Sequence, residues 1–200
     1  MKTPATTTEL LNTVAKRGIL RPRDLGAYGI PRSQLYRMER KGTLEKSGRG
    51  LYRVPGAEVT VHHSLAEASK RVPHGVICLL SALRFHGLTT QAPFEVWMAI
   101  HGKARRPRLD HPPVRVVRMA GPALEAGMQL HRIEGVDVRI FSAAKTAADC
   151  FRYRNKIGLD VALEALREYR RRRGNADELW RMAKVCRVAT VMRPYLEAIG

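Results

Sequence analysis

The chain has 200 residues, 44% apolar and 27% charged, a globular composition that makes disorder the wrong starting assumption. Its 36 Lys and Arg outnumber 18 Asp and Glu and leave a formal charge of +18. So large an excess implies a polyanionic partner, because cations that neutralise phosphates release condensed counterions. It excludes an acidic, self-solubilising chain, and no strongly apolar basic amphipathic helix argues for a membrane surface instead.

In chain order, Thr6, Thr7 or Thr8 can cap a first helix with Leu10, Leu11, Val14 and Ala15 on its apolar face and Gly18 at its end. The N-terminus otherwise reads Thr-Pro-Ala-Thr-Thr-Thr, without the apolar stretch of a signal peptide. Ile19 and Leu20 lead into a second helix, entered through Arg21-Pro22-Arg23-Asp24 and ending at Gly29. Pro31 suits the first position of the next helix, where no N–H donor is needed. There Leu35 and Met38 share one face, while Arg32, Ser33, Gln34, Arg37 and Lys41 take the other. Gly42 can close that helix with a positive φ. Thr43 to Lys46 reads as a strand, Ser47 to Gly50 as a turn, and Leu51 to Val54 as a returning strand stopped by Pro55. Residues 1–56 hold twelve basic against four acidic residues, a local excess that favours a nucleic-acid face over general solubility.

Helix, turn, amphipathic helix with a basic outer face, and hairpin with a basic tip is the order of a winged helix-turn-helix. The helix beginning at Pro31 would enter the major groove and the hairpin would follow the backbone. The alternative is a small helical domain whose cations keep it soluble. In the DNA-binding reading, Arg32, Ser33 and Gln34 lie where base edges are reached, since Arg pairs with guanine and Gln with adenine. Arg37 and Lys41 would hold phosphate, Tyr36 would reach phosphate or cover the core, and Lys46 and Arg49 flank the hairpin turn.

Beyond residue 56 the pattern changes. Gly56 to His63 reads as a linker with some strand character, and Ser64 to Lys70 as a helix stopped by Pro73. Val76 to Phe85 reads as a central apolar helix ended by Gly87, with His86 as a helix-end residue. Phe94 to Ile100 is a strand by β-propensity. His101 to Pro113 is a basic loop carrying Lys103, Arg105, Arg106 and Arg108. Val114 to Met119 is a further strand, and Met128 to Ile133 with Val136 to Phe141 form a hairpin turning at Glu134-Gly135. Helices follow over Ser142 to Arg154, Leu159 to Arg173 and Asp177 to Cys186, with a last one broken or begun near Pro194.

The fold class expected is therefore α+β. A winged helix-turn-helix over 1–56 precedes an α+β domain over 57–200, with a small antiparallel sheet and a helical C-terminus. A second basic patch, Arg167 with Arg170, Arg171, Arg172 and Arg173, suits DNA, RNA or an acidic protein, or is a solvated face.

Catalytic and metal chemistry find little support. Cys78, Cys150 and Cys186 are far apart, odd in number and set in apolar helical patterns, so reduced core thiols are expected rather than disulfides or a zinc site. The seven histidines show no metal spacing, and no cofactor is implied. Ser142, Lys145 and Thr146 open a helix and are better explained by capping than by nucleophilic catalysis, and Asp149 could pair with an Arg. A metal-dependent nuclease would want an acid and a Lys two apart on a strand. Glu95-Val96-Trp97 and Asp137-Val138-Arg139 lack that Lys, so no enzymatic activity is expected. The longest apolar run, Val76 to Leu80, is too short to span a bilayer, and a soluble cytoplasmic protein is expected.

Several stretches, taken in order, resemble the AbiEi-type antitoxins. They include Asp24-Leu25, Gly29-Ile30-Pro31-Arg32, Leu35-Tyr36-Arg37, Lys41-Gly42-Thr43-Leu44 and Arg49-Gly50-Leu51-Tyr52. Ser64-Leu65-Ala66-Glu67, Cys78 to Leu83, Lys145 to Arg154, Ala162 to Arg167 and Arg193 to Glu197 continue the likeness, which spans roughly residues 8–198. The resemblance implies a type IV toxin–antitoxin pair serving phage defence. Its winged helix would bind inverted repeats in the operon promoter and repress it. Its C-terminal domain would counteract a nucleotidyltransferase-like toxin without a stable complex. One departure is visible: Arg21-Pro22-Arg23 stands where many relatives have a Thr-type cap, leaving either a weaker cap or two arginines recruited to phosphate. A winged-helix regulator whose C-terminal domain senses a ligand or oligomerises is the other reading.

Overall fold

The computed structural model describes residues 18–28, 31–56 and 59–199. The first helix expected between Thr6 and Ala15 and the helix end expected at Gly29 lie outside the described residues. Two compact units divide the chain. One holds the described residues up to Arg71 together with Arg132–Val138; the other holds Val72–His131 and the residues from Arg139 onward. The first unit thus continues past residue 56, because the helix that follows is bonded to the hairpin before it.

In the first unit, Pro22–Tyr28 is a 3-10 helix. The Asp24 carboxylate accepts the Arg21 backbone N–H at 3.0 Å and pairs with the Arg21 guanidinium at 3.0 Å and the Lys70 ammonium at 2.8 Å. An acid three residues in therefore reaches back to the N–H of the residue before the helix, the reciprocal bond of a capping box rather than the one a Thr would make. Arg21 is engaged by Asp24 and by the Lys70 carbonyl. Helix α1 is Arg32–Arg40, with Pro31 at its N-cap, one position earlier than expected (φ −71°, ψ 147°). It ends at Gly42, whose φ is +69°. There the Thr43 N–H donates to the Met38 carbonyl at 3.0 Å and the Gly42 N–H to that of Glu39 at 3.0 Å, the paired bonds of a Schellman terminus.

Strands β1 (Glu45–Gly48) and β2 (Leu51–Arg53) pair antiparallel, with a register shift between Lys46 and Gly48. The turn is thereby reduced to Arg49-Gly50. Leu20 adds a rung from the other side, exchanging both backbone bonds with Tyr52 at 2.8 and 2.9 Å. Leu20, Leu35, Met38, Leu44 and Tyr52 form the core under α1, with Val54 against it.

Helix α2 (His63–Arg71) follows, and residues 59–62 before it form no strand. A polar chain ties it to the hairpin: Ser47 Oγ donates to buried Glu67 Oε1 at 2.5 Å and lies 3.3 Å from His63 Nε2. His63 Nδ1 is 2.6 Å from Glu134 Oε2, and Glu134 also accepts the Thr60 N–H and hydroxyl at 2.7 and 2.9 Å. At Gly48 a Cβ would stand 2.6 Å from the Arg71 guanidinium, so the absent side chain makes room for that arginine.

These contacts make the first unit acid-sensitive. Burial alone would raise the Asp24 and Glu134 carboxyls, but the Lys70 and Arg21 bonds to Asp24, and the His63 and Thr60 bonds to Glu134, hold both below their ordinary 3.8 and 4.5. A carboxyl depressed on folding stabilises the fold above its unfolded pKa, and that stability is lost as pH falls through the folded value. The thermal midpoint of the first unit is expected to drop as pH is lowered from 5 towards 2. The deficit of Asp24→Asn relative to wild type, measured by the same melts, should shrink over that range. A deficit constant with pH would show that Asp24 is not charged and paired as described.

Five strands form one sheet in the order β5-β4-β3-β7-β6, comprising β3 (Val76–Ile77), β4 (Val96–His101), β5 (Val114–Met119), β6 (Met128–Ile133) and β7 (Val136–Phe141); all but the Arg132–Val138 tip of the β6–β7 hairpin belong to the second unit. The sheet is mixed rather than antiparallel: β3 runs antiparallel to β4 but parallel to β7, and β4 runs parallel to β5. Val76 and Ile77, expected to open a helix, are the sheet's central strand, since β-branched residues between two partners gain a ladder on each side. Helix α3 begins only at Leu79 and ends at His86, with Gly87 at φ +65°. His86 is a helix-end residue as expected, its Nε2 bonded to the Phe141 carbonyl at 2.7 Å.

A short helix, α4 (Pro122–Glu125), precedes β6. The strands of the β6–β7 hairpin begin and end where expected, turning on Glu134 and Gly135, both with positive φ (46° and 73°). Helices α5 (Ala143–Arg152), α6 (Arg154–Ile157), α7 (Leu159–Arg171), α8 (Ala176–Val185) and α9 (Ala189–Ile199) complete the chain, α9 passing through Pro194 unbroken.

Helix α5 is the one at the centre, with every residue from Ala144 to Phe151 buried, as a helix packed on all sides requires. Ser142 caps it by accepting the Lys145 N–H at 3.2 Å. Asp149 does not pair with an arginine. Fully buried Lys145, one turn earlier, meets it, and the Cys186 thiol donates to its other oxygen at 3.2 Å. Lys145 Nζ also lies 4.2 Å from the Phe141 ring centroid. Burial pushes the Asp149 carboxyl up against the pull of the Lys145 ammonium and the Cys186 thiol. Cys78, Cys150 and Cys186 are free and buried; burial raises all three thiols, that of Cys186 to about 12, so they pack as neutral groups. Among the described residues, no helix is long and apolar enough to cross a membrane.

Candidate nucleic-acid interface

Helix α1 presents two unlike faces. Leu35 and Met38 are buried in the core of the first unit, which fixes the rotation of the helix about its axis. The opposite half-turn carries Arg32, Ser33, Tyr36, Arg37, Arg40 and Lys41, all exposed, with Tyr36 52% accessible. Ser33, Arg37, Arg40 and Lys41 line an open concavity of about 460 Å³ along this face. Gln34 is half-buried beside the core edge and lies off that stripe.

Arg40 is the residue that sequence reasoning missed. It stands three positions after Arg37 and seven after Ser33, the helical spacing that puts all three on one stripe. That spacing was readable. The neighbouring Glu39-Arg40-Lys41-Gly42 reads as a helix end, and this obscured it.

The hairpin contributes less free charge than its sequence suggests. Lys46 does not flank the turn: it lies within β1, opposite Tyr52, and its ammonium is 2.7 Å from Glu39 of α1. That carboxylate holds the Lys46 pKa above its ordinary value. The pair locks β1 to α1; Arg49, beside Gly50, is exposed at the tip. Glu45 and Arg53, partners across the strands, form a second ion pair at 2.5 Å. Arg23, on the 3-10 helix, is exposed.

In the second unit, Arg167 and Arg170 to Arg173 are exposed, but Glu168 sits among them. It accepts three bonds from Arg171, at 3.0, 3.1 and 2.5 Å, and lies 3.8 Å from Arg172. The run also straddles the end of α7, where positive charge is favoured by the helix dipole, and Arg173 has already left the helix at φ +55°. Much of this patch is therefore accounted for locally.

The acids weighed for metal chemistry are similarly engaged, Asp137 with Arg132 at 2.7 Å and Glu95 near Arg115 at 3.7 Å. Among the described residues, no three His, Cys, Asp or Glu side chains gather into a metal-binding group.

The family described as "Transcriptional regulator, AbiEi antitoxin" matches residues 9–55, the stretch that includes α1 and the hairpin. No curated protein matches the chain. Among solved structures, the crystal structure of the RV2827C protein from Mycobacterium tuberculosis is similar, with a TM-score of 0.52 and 14% identity over 98% of this chain and 83% of that one. At that identity the likeness is one of fold. The match over residues 9–55 is thus a similarity of that stretch to the AbiEi antitoxin family of transcriptional regulators.

Proposed function

We propose that the chain is a cytoplasmic DNA-binding antitoxin that represses its own operon. In this reading the first unit acts as a winged helix-turn-helix: α1 enters the major groove of an inverted repeat and Arg49 follows the backbone. The second unit counteracts a nucleotidyltransferase-like toxin of a type IV, phage-defence pair without forming a stable complex. The observation that carries the DNA half is the polar face of α1. Its six exposed side chains are held outward because Leu35 and Met38 are pinned beneath them. The toxin half rests on the family match over 9–55 and on the wider resemblance of the sequence.

Within this reading Arg32 and Ser33, in the first turn of α1, meet base edges, while Arg37, Arg40 and Lys41 hold phosphate. Tyr36, exposed between them, reaches phosphate through its hydroxyl. A footprint of the full chain on the DNA upstream of its own gene tests the proposal. Arg32→Ala is expected to weaken binding there by about 1–3 kcal/mol and to relax preference at one base position. Equal weakening on random duplex would make Arg32 a phosphate contact, and no footprint would end the repressor reading.

A further inference from the structure

The five-stranded sheet has two edges, and the chain treats them differently. At one edge β5 follows Pro112-Pro113 and carries Arg115 and Arg118, both exposed. Arg115 lies 3.7 Å from Glu95, and the Arg118 guanidinium donates to the carbonyls of Gly102 and Ala104, the latter at 3.0 Å. Prolines and long cations along an edge strand keep other chains from pairing with it.

The other edge has no such protection. Among the described residues, β6 has a ladder partner only on its β7 side. Met128, Gln129 and Leu130 are all exposed, Leu130 to 67% and Met128 to 38%. Met128 and Leu130 are two apart and so share one face of the sheet. The strand holds no proline and no lysine, and its single formal charge, Arg132, is answered within the hairpin by Asp137 at 2.7 Å. A row of backbone N–H and C=O groups without a neighbour, flanked by apolar side chains, is a template for another strand.

Charge decides which chain can approach. The protein carries twice as many cations as acids, so two copies repel at long range. The twenty residues 119–138, bounded by Arg118 and Arg139, reverse that balance with one basic and three acidic residues. β6 lies in this stretch, where a second copy meets little like charge. A phosphate backbone, by contrast, finds little positive charge there to replace its counterions.

We infer that β6 is a self-association surface, on which a second copy of this chain adds its own β6 antiparallel across a two-fold axis. Such pairing is isologous: each copy offers the same edge, so assembly closes at two chains and leaves the arginine-bearing β5 edges unpaired. An axis normal to the sheet at Leu130 sets that residue against its own copy and Gln129 against His131 of the second copy, with side chains on matching faces. One strand pair is a small interface, so association in the micromolar range is expected. The inference does not depend on the DNA-binding reading of the first unit.

The test is sedimentation velocity of the full chain, freed of nucleic acid, from roughly 5 to 200 µM. The mass is expected to rise with concentration from 22.5 kDa towards twice that value and no further. Raising salt from about 50 to 300 mM should favour the dimer, because screening relieves the repulsion of two cationic chains. A nucleic-acid bridge would respond in the opposite sense. Leu130→Lys opposes two ammonium groups at the axis and should weaken association by about tenfold or more, with the melting temperature unchanged. Leu130→Cys should oxidise to a covalent dimer, since opposed residues of an antiparallel pair lie within disulfide range and the native thiols are buried. Val61→Cys, at a site 91% exposed and outside the strands, is the control for random collision. A monomer across the whole range, growth beyond two chains, or dissociation by salt overturns the inference. So does a Leu130→Lys variant that still dimerises, or Leu130→Cys crosslinking no faster than Val61→Cys.

Discussion

Asp149→Ala is expected to destabilise the chain by about 3–5 kcal/mol, because it strands an ammonium in the middle of a packed core. Lys145 is fully buried in α5, and without Asp149 its charge would face only the Phe141 ring and the apolar surroundings of the central helix. The loss is comparable to a large share of the stability of an ordinary domain. Denaturant unfolding should show it as a fall in midpoint at unchanged slope. The double variant Lys145→Met/Asp149→Leu should recover most of the loss, since replacing both charges leaves nothing unpaired. A single-variant cost under about 1 kcal/mol would mean that the ammonium finds water or another partner. Cys186→Ala should cost less, as it removes only a thiol donor from a carboxylate already paired.

Arg37→Ala/Arg40→Ala is expected to reduce promoter affinity by roughly a hundredfold while leaving the melting temperature unchanged. Both guanidinium groups are exposed on the concave stripe of α1 and take no part in the core. Charge-assisted contacts are worth about 1.5–3 kcal/mol each, so losing two gives at least this effect. The salt slope should fall by about two, equally on promoter and random duplex, in contrast to the base-specific loss expected for Arg32→Ala. Affinity unchanged at 150 mM salt would remove α1 from the interface and with it the repressor reading. A lowered melting temperature would mean that the stripe serves the fold rather than a ligand.

Residues 31–42 show how much a short sequence can disclose. Proline before the helix, Leu35 and Met38 three apart, and glycine after it fix where α1 starts, which face it buries and where it stops, to within one position. Lys46 shows the opposite. Its lysine in a basic hairpin looks like a phosphate contact, yet its ammonium lies on Glu39, seven residues away. Such a pairing follows from how α1 and β1 come together and leaves no periodic signal. The same holds for Arg40, whose position on the binding stripe needs the actual helix end before it can be judged.

What the sequence determined alone is what short-range geometry controls. This covers the limits of the β6–β7 hairpin with its Glu-Gly turn, the Ser142 cap, the burial of the three thiols, and the basic outer face of α1. The tertiary structure decided that Val76 and Ile77 are a central strand rather than helix, that Leu20 pairs with Tyr52, and that Lys145 is the partner of Asp149. It also showed that Arg21 is engaged by Asp24 and that the first unit reaches past residue 56. In each of these cases the competing local states differ by little, and the contact that chooses between them comes from another element. Propensity and spacing report energies within a turn or two; ladder partners and buried charge pairs are set by what the rest of the chain brings alongside.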